Sequence, residues 1–349
     1  MTDHRIAFAL FSLACGIVPS AHSQTSAPVA GQYHIVKRIA AGGEGGWDYL
    51  AADAQNRRLY VSRGTHVMVF DMDRDSLVGD IPNTPGVHGV AIDRQRGHGF
   101  TSNGRDSSVT VFDLKTLQPI KTVRITGRNP DAIAFDPASN RVFTFNGASH
   151  DASVIDAITL EQVGRIDLGG KPETGQPDGK GMLYVNIEDK GEVVALDTRA
   201  MQAKARYSLA PCEEPTGMAR DAARGRLIIG CGGNAMMAVM DEKTGKLVTT
   251  MPVGRGVDAS GFDPVTQLAF TSAGEGNVSV IRENADGTFT AVGSVPTQPR
   301  ARTMALDEKT HKIYLSTAQF GLAPAPTAEN PRPRAPMIPG SFVILVLDR

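Results

Sequence analysis

The sequence predicts an all-β fold, a seven-bladed β-propeller built from four-stranded antiparallel blades. Apolar strands are short and separated by turn residues, and an aspartate-led turn recurs every 40 to 44 residues along the chain. The 37 glycines and 21 prolines among 349 residues indicate a chain that turns often and forms no long helices. Four short strands in a unit of about 42 residues are typical of a propeller blade.

Two series of turn positions each mark seven repeats, and aspartate stands at all of these positions except one. An aspartate at such a position can accept the backbone N–H two residues later and so close a hairpin. The first series is Asp53, Asp93, Asp136, Asp178, Asp221, Asp263 and Asp307, and the second is Asp71, Asp113, Asp156, Asp197, Asp241, Arg282 and Asp348. The last interval of the second series is longer than the others, which predicts an insertion in the final blade.

The two ends of the chain are predicted to close the ring. The last repeat contains three strands, whereas Gln32–Ile39 is a strand with no blade of its own. We expect this strand to pair beside Phe342–Leu347, which removes exposed strand edges. Residues 24–349 are therefore expected to fold as a single propeller domain, and the protein is expected to be a monomer.

Residues 1–23 have the pattern of a cleaved secretory signal peptide. Arg5 precedes the apolar run Ile6–Val18, and Ala21-His22-Ser23 predicts cleavage before Gln24. An uncleaved anchor helix is one alternative, although the run is shorter than the roughly 20 residues that span a bilayer. A lipoprotein anchored through Cys15 is another. No later segment is long and apolar enough to cross a membrane, so a periplasmic or secreted protein is expected.

Three second strands of the predicted blades share a sequence pattern. They are Leu59–Ser62, Leu183–Asn186 and Ile313–Ser316, each with a Tyr at the second position. The pattern resembles the Tyr-Val-Thr-Asn repeat of exported YVTN or YncE-like seven-bladed propellers, and the resemblance covers the whole chain after residue 23. Other blades depart from it, as in Phe143–Asn146. The resemblance implies a binding scaffold, and because one fold hosts many functions, activity has to be argued from the site.

Two polar rings are expected at one mouth of the central channel. Loops that enter the first strand of a blade open on the same face as loops between its second and third strands. Five residues before each first-series aspartate stand Asp48, His88, Asp131, Glu173, Thr216, Asp258 and Arg302. The second strands end at Arg63, Asn103, Asn146, Asn186, Cys231, Ala273 and Thr317.

The first ring and the asparagines of the second predict an oxygen-rich funnel. Such a funnel suits a hard cation such as calcium, or a polyhydroxylated ligand. Asp131, Glu173, Asn146 and Asn186 are the expected direct contacts and, if a cation binds, its ligands. His88 is the candidate acid or base, since its ordinary pKa lies near neutrality. The alternative is a wet channel whose polar residues are merely solvated.

Two further residues of the mouth each have two interpretations. Arg302 stands between Asp48 and Asp258 in the ring, where it balances charge. Trp47, the only tryptophan, either stacks on a ligand or packs between blades.

The insertion covers residues 318–341 and contains six prolines, which favour an extended and semi-rigid path. Its position predicts that it lies at the same mouth, either as a lid or docking arm with Arg332 and Arg334 turned toward the acidic residues, or as a surface loop. Cys212 and Cys231 fall on one face of blade five, so a disulfide is predicted, with two free thiols as the alternative.

The composition and the absence of standard motifs reduce the number of functional classes that the sequence supports. Lysine and arginine number 36 against 37 acidic residues, and no basic run with interleaved aromatics supports nucleic-acid binding. The standard nucleophile, phosphate-binding, zinc-protease and covalent-haem motifs are absent. Two hypotheses result: a non-catalytic exported propeller that binds a small molecule or protein at the channel mouth, and a divalent-metal-assisted hydrolase or lactonase. A redox partner is a third class with little sequence support.

Overall fold

The first six repeats form four strands each, and the seventh forms three, because β-branched and aromatic residues come in short runs bounded by aspartate, glycine and asparagine turns. The computed structural model describes residues 1–2, 33–327, 331 and 333–349. All of the proposed signal peptide except its first two residues lies outside this range. Within the described range, no helix is long and apolar enough to cross a membrane.

Seven sheets of four antiparallel strands make up the described fold, and the seven-bladed propeller is confirmed. Strand β1 is His34–Ala40, and blade one contains β2–β5, at Leu50–Asp53, Arg58–Ser62, Val67–Asp71 and Ser76–Ile81. Blades two and three contain β6–β13, at Val87–Asp93, His98–Asn103, Ser108–Asp113, Pro119–Arg124, Pro130–Asp136, Arg141–Asn146, Asp151–Asp156 and Glu161–Asp167. Blades four and five contain β14–β21, at Pro172–Pro177, Met182–Ile187, Glu192–Asp197, Gln202–Ser208, Pro215–Asp221, Arg226–Cys231, Met236–Asp241 and Leu247–Pro252. Blades six and seven contain β22–β28, at Val257–Asp263, Leu268–Ala273, Asn277–Glu283, Phe289–Pro296, Met304–Leu306, Ile313–Thr317 and Val343–Asp348.

The ring closes as the sequence predicts. The first strands of adjacent blades contact one another around the whole circle, including β2 against β26. Blade seven is completed by β1, which pairs antiparallel with β28 so that His34 faces Asp348 and Ala40 faces Val343. Because the first and last strands of the fold share one sheet, β28 is paired on both sides and the two ends of the chain fasten the ring.

The aspartate turns form as predicted at the end of the blades opposite the mouth, called here the turn face. Asp136 accepts the N–H of Ala138 at 3.2 Å, and Asp307 accepts that of Lys309 at 3.1 Å. Both carboxylates are fully buried. These buried acceptors satisfy turn N–H groups that would otherwise be left without partners.

The apolar core lies between blades rather than within one centre. There are seven clusters in the described part of the chain, and each joins two neighbouring blades. Phe143 and Phe145 of blade three, for example, pack with Leu183 and Val185 of blade four. Since each blade buries its two faces only against neighbours, the blades depend on one another for stability.

Candidate functional site

The first-strand residues predicted at the mouth are positioned by β-bulges. In blades two, three and four the pairing with the second strand shifts between Val87 and Val90, Pro130 and Ile133, and Pro172 and Gly175. His88, Asp131 and Glu173 each lie inside such a shift. A bulge leaves its residues outside the regular ladder and re-aims their side chains, so the repeat brings a polar side chain from each of these successive blades to the same mouth.

Asp48, His88 and Asp131 meet at the mouth. His88 Nδ1 lies 2.6 Å from Asp48 Oδ2 and 3.5 Å from Asp131 Oδ1. One potential ligand atom from each of the three residues lies within 4.8 Å of the other two. Three blades thus supply an imidazole and two carboxylates, a set of donors able to hold a metal ion.

Glu173 and Asp258 continue the acidic side of the mouth, each beside a cation. Lys171 Nζ lies 2.9 Å from Glu173 and also contacts Glu188. Arg302 Nε lies 3.2 Å from Asp258, in agreement with the charge-balancing interpretation from the sequence. We define the acidic cluster as Asp48, His88, Asp131, Glu173 and Asp258.

The carboxyl groups of the acidic cluster are crowded and poorly solvated. Burial, with the charge of Asp48, raises the pKa of Asp131 to about 6. Burial, with the charge of Asp131, raises the pKa of Glu173 to about 8, and burial raises that of Asp258 to about 6. Burial acts to lower the pKa of His88, but the Asp48 hydrogen bond and the Asp131 charge outweigh it, so this pKa lies above its ordinary value. The cluster therefore favours bound protons or another cation.

Tyr49 occupies the channel beneath the acidic cluster, and the sequence interpretation missed it. It lines a cavity of about 190 Å³ with first-strand residues of the other blades, among them Gly89, Ala132 and Gly217. Burial, followed by the charges of four mouth carboxylates, raises its pKa well above the ordinary value. The signal was available, because Tyr49 is the one large residue at a repeat position otherwise filled by Gly, Ala or Thr.

The asparagines predicted to line the mouth are buried inside the fold. Asn103 donates to Ser108 at 3.0 Å and Thr110 at 2.9 Å, and Asn146 donates to Ser153 at 3.0 Å and Asp151 at 2.6 Å. The oxygens of both amides accept from threonines two residues earlier. These amides join strands within a blade, and the structure does not bring them together with the acidic cluster.

The side chain of Asn186 joins two blades, and its oxygen is an unsatisfied hydrogen-bond acceptor among the described residues. Its amide nitrogen donates to the backbone oxygens of Thr216 at 2.8 Å and Gly217 at 3.3 Å in the next blade. Its oxygen, fully buried, has no hydrogen-bond partner among the described residues. The hydroxyl of Thr216 likewise donates a hydrogen bond within the fold, to the backbone oxygen of Val257 at 3.0 Å.

Trp47 packs on the insertion and also faces an open pocket. Its ring lies 5.2 Å from Phe342 and 6.0 Å from Phe320 between centroids. The insertion lies between β27 and β28, as predicted, and Phe320 pairs with Met337 across its base. Of the two arginines expected there, Arg334 lines the pocket beside Trp47, whereas Arg332 lies outside the described residues.

The predicted disulfide between Cys212 and Cys231 is confirmed, with Cα atoms 5.5 Å apart. It links the loop before β18 to the end of β19 and so fastens the mouth side of blade five. Cys212 also belongs to the apolar cluster between blades four and five.

Comparison with solved structures supports the fold. The chain is similar to a chain of Kuenenia stuttgartiensis hydrazine synthase, with a TM-score of 0.70, 14% identity, and coverage of 86% of this chain and 96% of that one. It is also similar to a chain of the mitotic checkpoint complex, with a TM-score of 0.71, 15% identity, and coverage of 90% and 96%. No family model and no curated protein matches. The structural similarity supports the propeller fold, but identities this low show the fold alone. The likeness to YVTN propellers therefore remains a resemblance in sequence.

Proposed function

We propose that this protein is a binding propeller whose channel mouth holds a cationic ligand, in the simplest case a divalent metal ion. The observation that carries the proposal is the convergence of Asp48, His88 and Asp131, whose donor atoms lie within 4.8 Å of one another. Three separate blades contribute these residues, so the fold itself creates the cluster.

Charge supports a cation at this position. Among the described residues, the only basic group within ion-pair distance of Asp48 or Asp131 is His88. Lys171, the nearest lysine, is already paired with Glu173 and Glu188. Burial and, after it, repulsion from Asp48 raise the pKa of Asp131, and a cation bound between the two carboxylates would relieve that repulsion.

The donor set selects the kind of metal. An imidazole with two carboxylates suits zinc or manganese, whereas calcium prefers a shell made entirely of oxygens. The asparagines that were expected to supply oxygens are bonded elsewhere. We therefore place manganese and zinc ahead of calcium. His88 must be neutral to act as a ligand, so metal binding would release a proton.

Thermal melting tests the proposal. Protein treated with EDTA and desalted is melted with manganese, zinc, calcium or magnesium, because a ligand that binds only the folded state stabilises it by about 2.7 kcal/mol at a hundredfold excess over its Kd. We expect manganese or zinc to raise the midpoint and Asp131→Asn to abolish the rise. Asp113→Asn, which changes an aspartate of the turn face, is the matched control. Equal shifts in both variants would refute the assignment.

Calorimetry in two buffers adds a second readout. If His88 gives up its proton to the metal, the observed heat depends on the ionisation enthalpy of the buffer. His88→Gln should remove that dependence together with most of the affinity. In a titration at about pH 6, where His88 carries its proton, heats that are the same in both buffers would exclude His88 as the ligand.

A metal-assisted hydrolase is the second candidate, and the same cluster favours it. Asp48 holds the His88 ring at 2.6 Å, as an orienting carboxylate holds a general base. A bound metal would supply Lewis-acid activation of a carbonyl. Turnover of lactones or esters that requires metal and is lost in Asp131→Asn would support an enzyme, and metal binding without turnover would support the binding protein.

We also propose that the protein is exported. The signal-like pattern of residues 1–23 and the disulfide support this, since stable disulfides are typical of oxidising compartments. Fractionation of cells followed by N-terminal sequencing tests it, and a mature chain that begins at Gln24 is the expected result.

A further inference from the structure

A second pocket opens at the mouth beside the acidic cluster and has the opposite charge. It encloses about 450 Å³, and its lining combines arginines with aromatic rings and glycines: Gly46, Trp47, Gly274, Arg300, Arg302, Phe320 and Arg334. We call it the arginine pocket. Its volume is that of a site for a small organic molecule.

Arg300 is held in place by stacking on an aromatic ring. Its guanidinium carbon lies 3.7 Å from the centroid of the Phe320 ring. Its φ is 67°, in the left-handed region, and this conformation recurs at the same repeat position at Gly86, Asn129, Glu214 and Gly256. The backbone conformation therefore belongs to the repeat, and glycine adopts it in two other blades.

Arg300 and Arg334 leave positive charge in the pocket. Arg302, by contrast, pairs with Asp258 of the acidic cluster at 3.2 Å, so it lies on the border between the pocket and that cluster. In the described part of the chain, neither Arg300 nor Arg334 lies within ion-pair distance of a carboxylate of known position. Two guanidinium groups therefore line the pocket without a carboxylate partner among the described residues.

A fourth arginine lies buried behind the wall of the pocket. Arg63 is fully buried, donates to the oxygens of Gly42 at 3.0 Å and Gly45 at 2.9 Å, and stacks 3.8 Å from the centroid of Phe342. Burial lowers its pKa to about 10, so it is still charged at neutral pH. Its Nε has no hydrogen-bond partner among the residues described.

No acidic side chain of the described chain lies within ion-pair distance of Arg63. Phe342, on which it stacks, also contacts Trp47, which lines the pocket. A buried cation without a counter-charge is costly, and an anion in the adjoining pocket would lower that cost.

We infer that the arginine pocket binds the carboxylate or phosphate group of a small organic molecule whose planar or apolar part lies against Trp47. Guanidinium groups are suited to such groups because their donors pair two at a time with two oxygens. Trp47 and Phe320 supply the apolar wall. This inference uses none of the residues proposed to hold the cation, so each proposal can fail without the other.

Trp47 gives a direct signal, because it is the only tryptophan in the chain. Its fluorescence is titrated with citrate and, separately, with inorganic pyrophosphate, at constant ionic strength and after removal of metals. We expect a saturable change with at least one of them. A response to citrate alone identifies a carboxylate site, and a response to pyrophosphate alone identifies a phosphate site.

Variants assign the signal to the pocket. Arg334→Gln and Arg300→Gly should each weaken binding by about tenfold or more, the usual cost of losing a charge-assisted contact. Arg300→Gly keeps the backbone that other blades form with glycine, so folding, checked by circular dichroism, should persist. Arg282→Gln, an exposed arginine at the turn face, is the matched control.

Two results would overturn the assignment of an anion site to the arginine pocket. Equal affinities in wild type, Arg334→Gln and Arg300→Gly, or no saturable change with either anion, would overturn it. Asp131→Asn should leave anion binding intact, which separates this site from the proposed cation site.

Discussion

Aspartates at the two ends of the blades have opposite electrostatic environments. At the turn face, the N–H groups of Ala200 and Arg199 hold the pKa of Asp197 below its ordinary value. At Asp53 burial acts to raise the pKa, but hydrogen bonds from Arg94 and Asn56 outweigh it. At the mouth, burial and neighbouring carboxylates raise the pKa values of Asp131 and Asp258 to about 6.

The difference shows which acidic residues serve the fold and which are free to bind. The carboxylate oxygens of a turn aspartate accept hydrogen bonds from backbone N–H groups of its own hairpin, so its charge stabilises the fold. The mouth carboxylates face one another with few donors, so their charge opposes the fold, and the proposed cation would offset that cost. Such a cost is typical of a binding site.

The largest expected effect comes from making the same substitution at each end. Asp307→Asn removes the buried partner of Arg57, 2.7 Å away, and should lower the free energy of unfolding by about 3 kcal/mol, the usual cost of breaking a buried pair. Asp131→Asn should cause no loss, because it removes a repelled charge. Urea denaturation in EDTA measures both. Similar losses of unfolding free energy in the two variants would contradict the proposed difference between the turn face and the mouth.

Removing the disulfide is the next largest change. Cys212 and Cys231 are 19 residues apart, and closing a loop of that size contributes about 3 kcal/mol in the chain-entropy account. The Cys212→Ala/Cys231→Ala variant should melt earlier, and dithiothreitol should lower the midpoint of the wild type but leave the variant unchanged. Identical melting midpoints for wild type and variant would show that the disulfide does not contribute to thermal stability.

The last expected effect concerns the pH dependence of stability. Because the pKa of Glu173 is raised from 4.5 to about 8, the folded state holds this proton more tightly than the unfolded state. The resulting stabilisation is complete below about pH 4.5 and is lost as the pH rises toward 8. Glu173→Gln should match the wild type at pH 4.5 and melt at a higher temperature at pH 9 in EDTA. A variant that melts lower at pH 9 would contradict the raised pKa.

Most of the fold is predictable from the sequence because it depends on local turns that repeat. The aspartates mark hairpins, their spacing fixes the blade, and the orphan strand near residue 34 completes the last one. The first ring of mouth residues is predictable for the same reason, since each bulge falls at the same place in its repeat.

The rest of the site depends on contacts between blades, which spacing does not reveal. Asn186 was expected to offer its amide to a ligand, but its nitrogen reaches the bulge of blade five at Thr216. Lys171 was overlooked because it stands two residues before Glu173 and outside the repeat position that was followed. Which side chain satisfies which neighbour is decided by packing in three dimensions.

Crystals soaked in manganese or zinc and measured at the metal's absorption edge test the central claim most directly. The account predicts one anomalous peak within bonding distance of the Asp48 carboxylate, a ring nitrogen of His88 and the Asp131 carboxylate. A peak at the turn face alone, or no peak at the mouth at saturating metal, would contradict it.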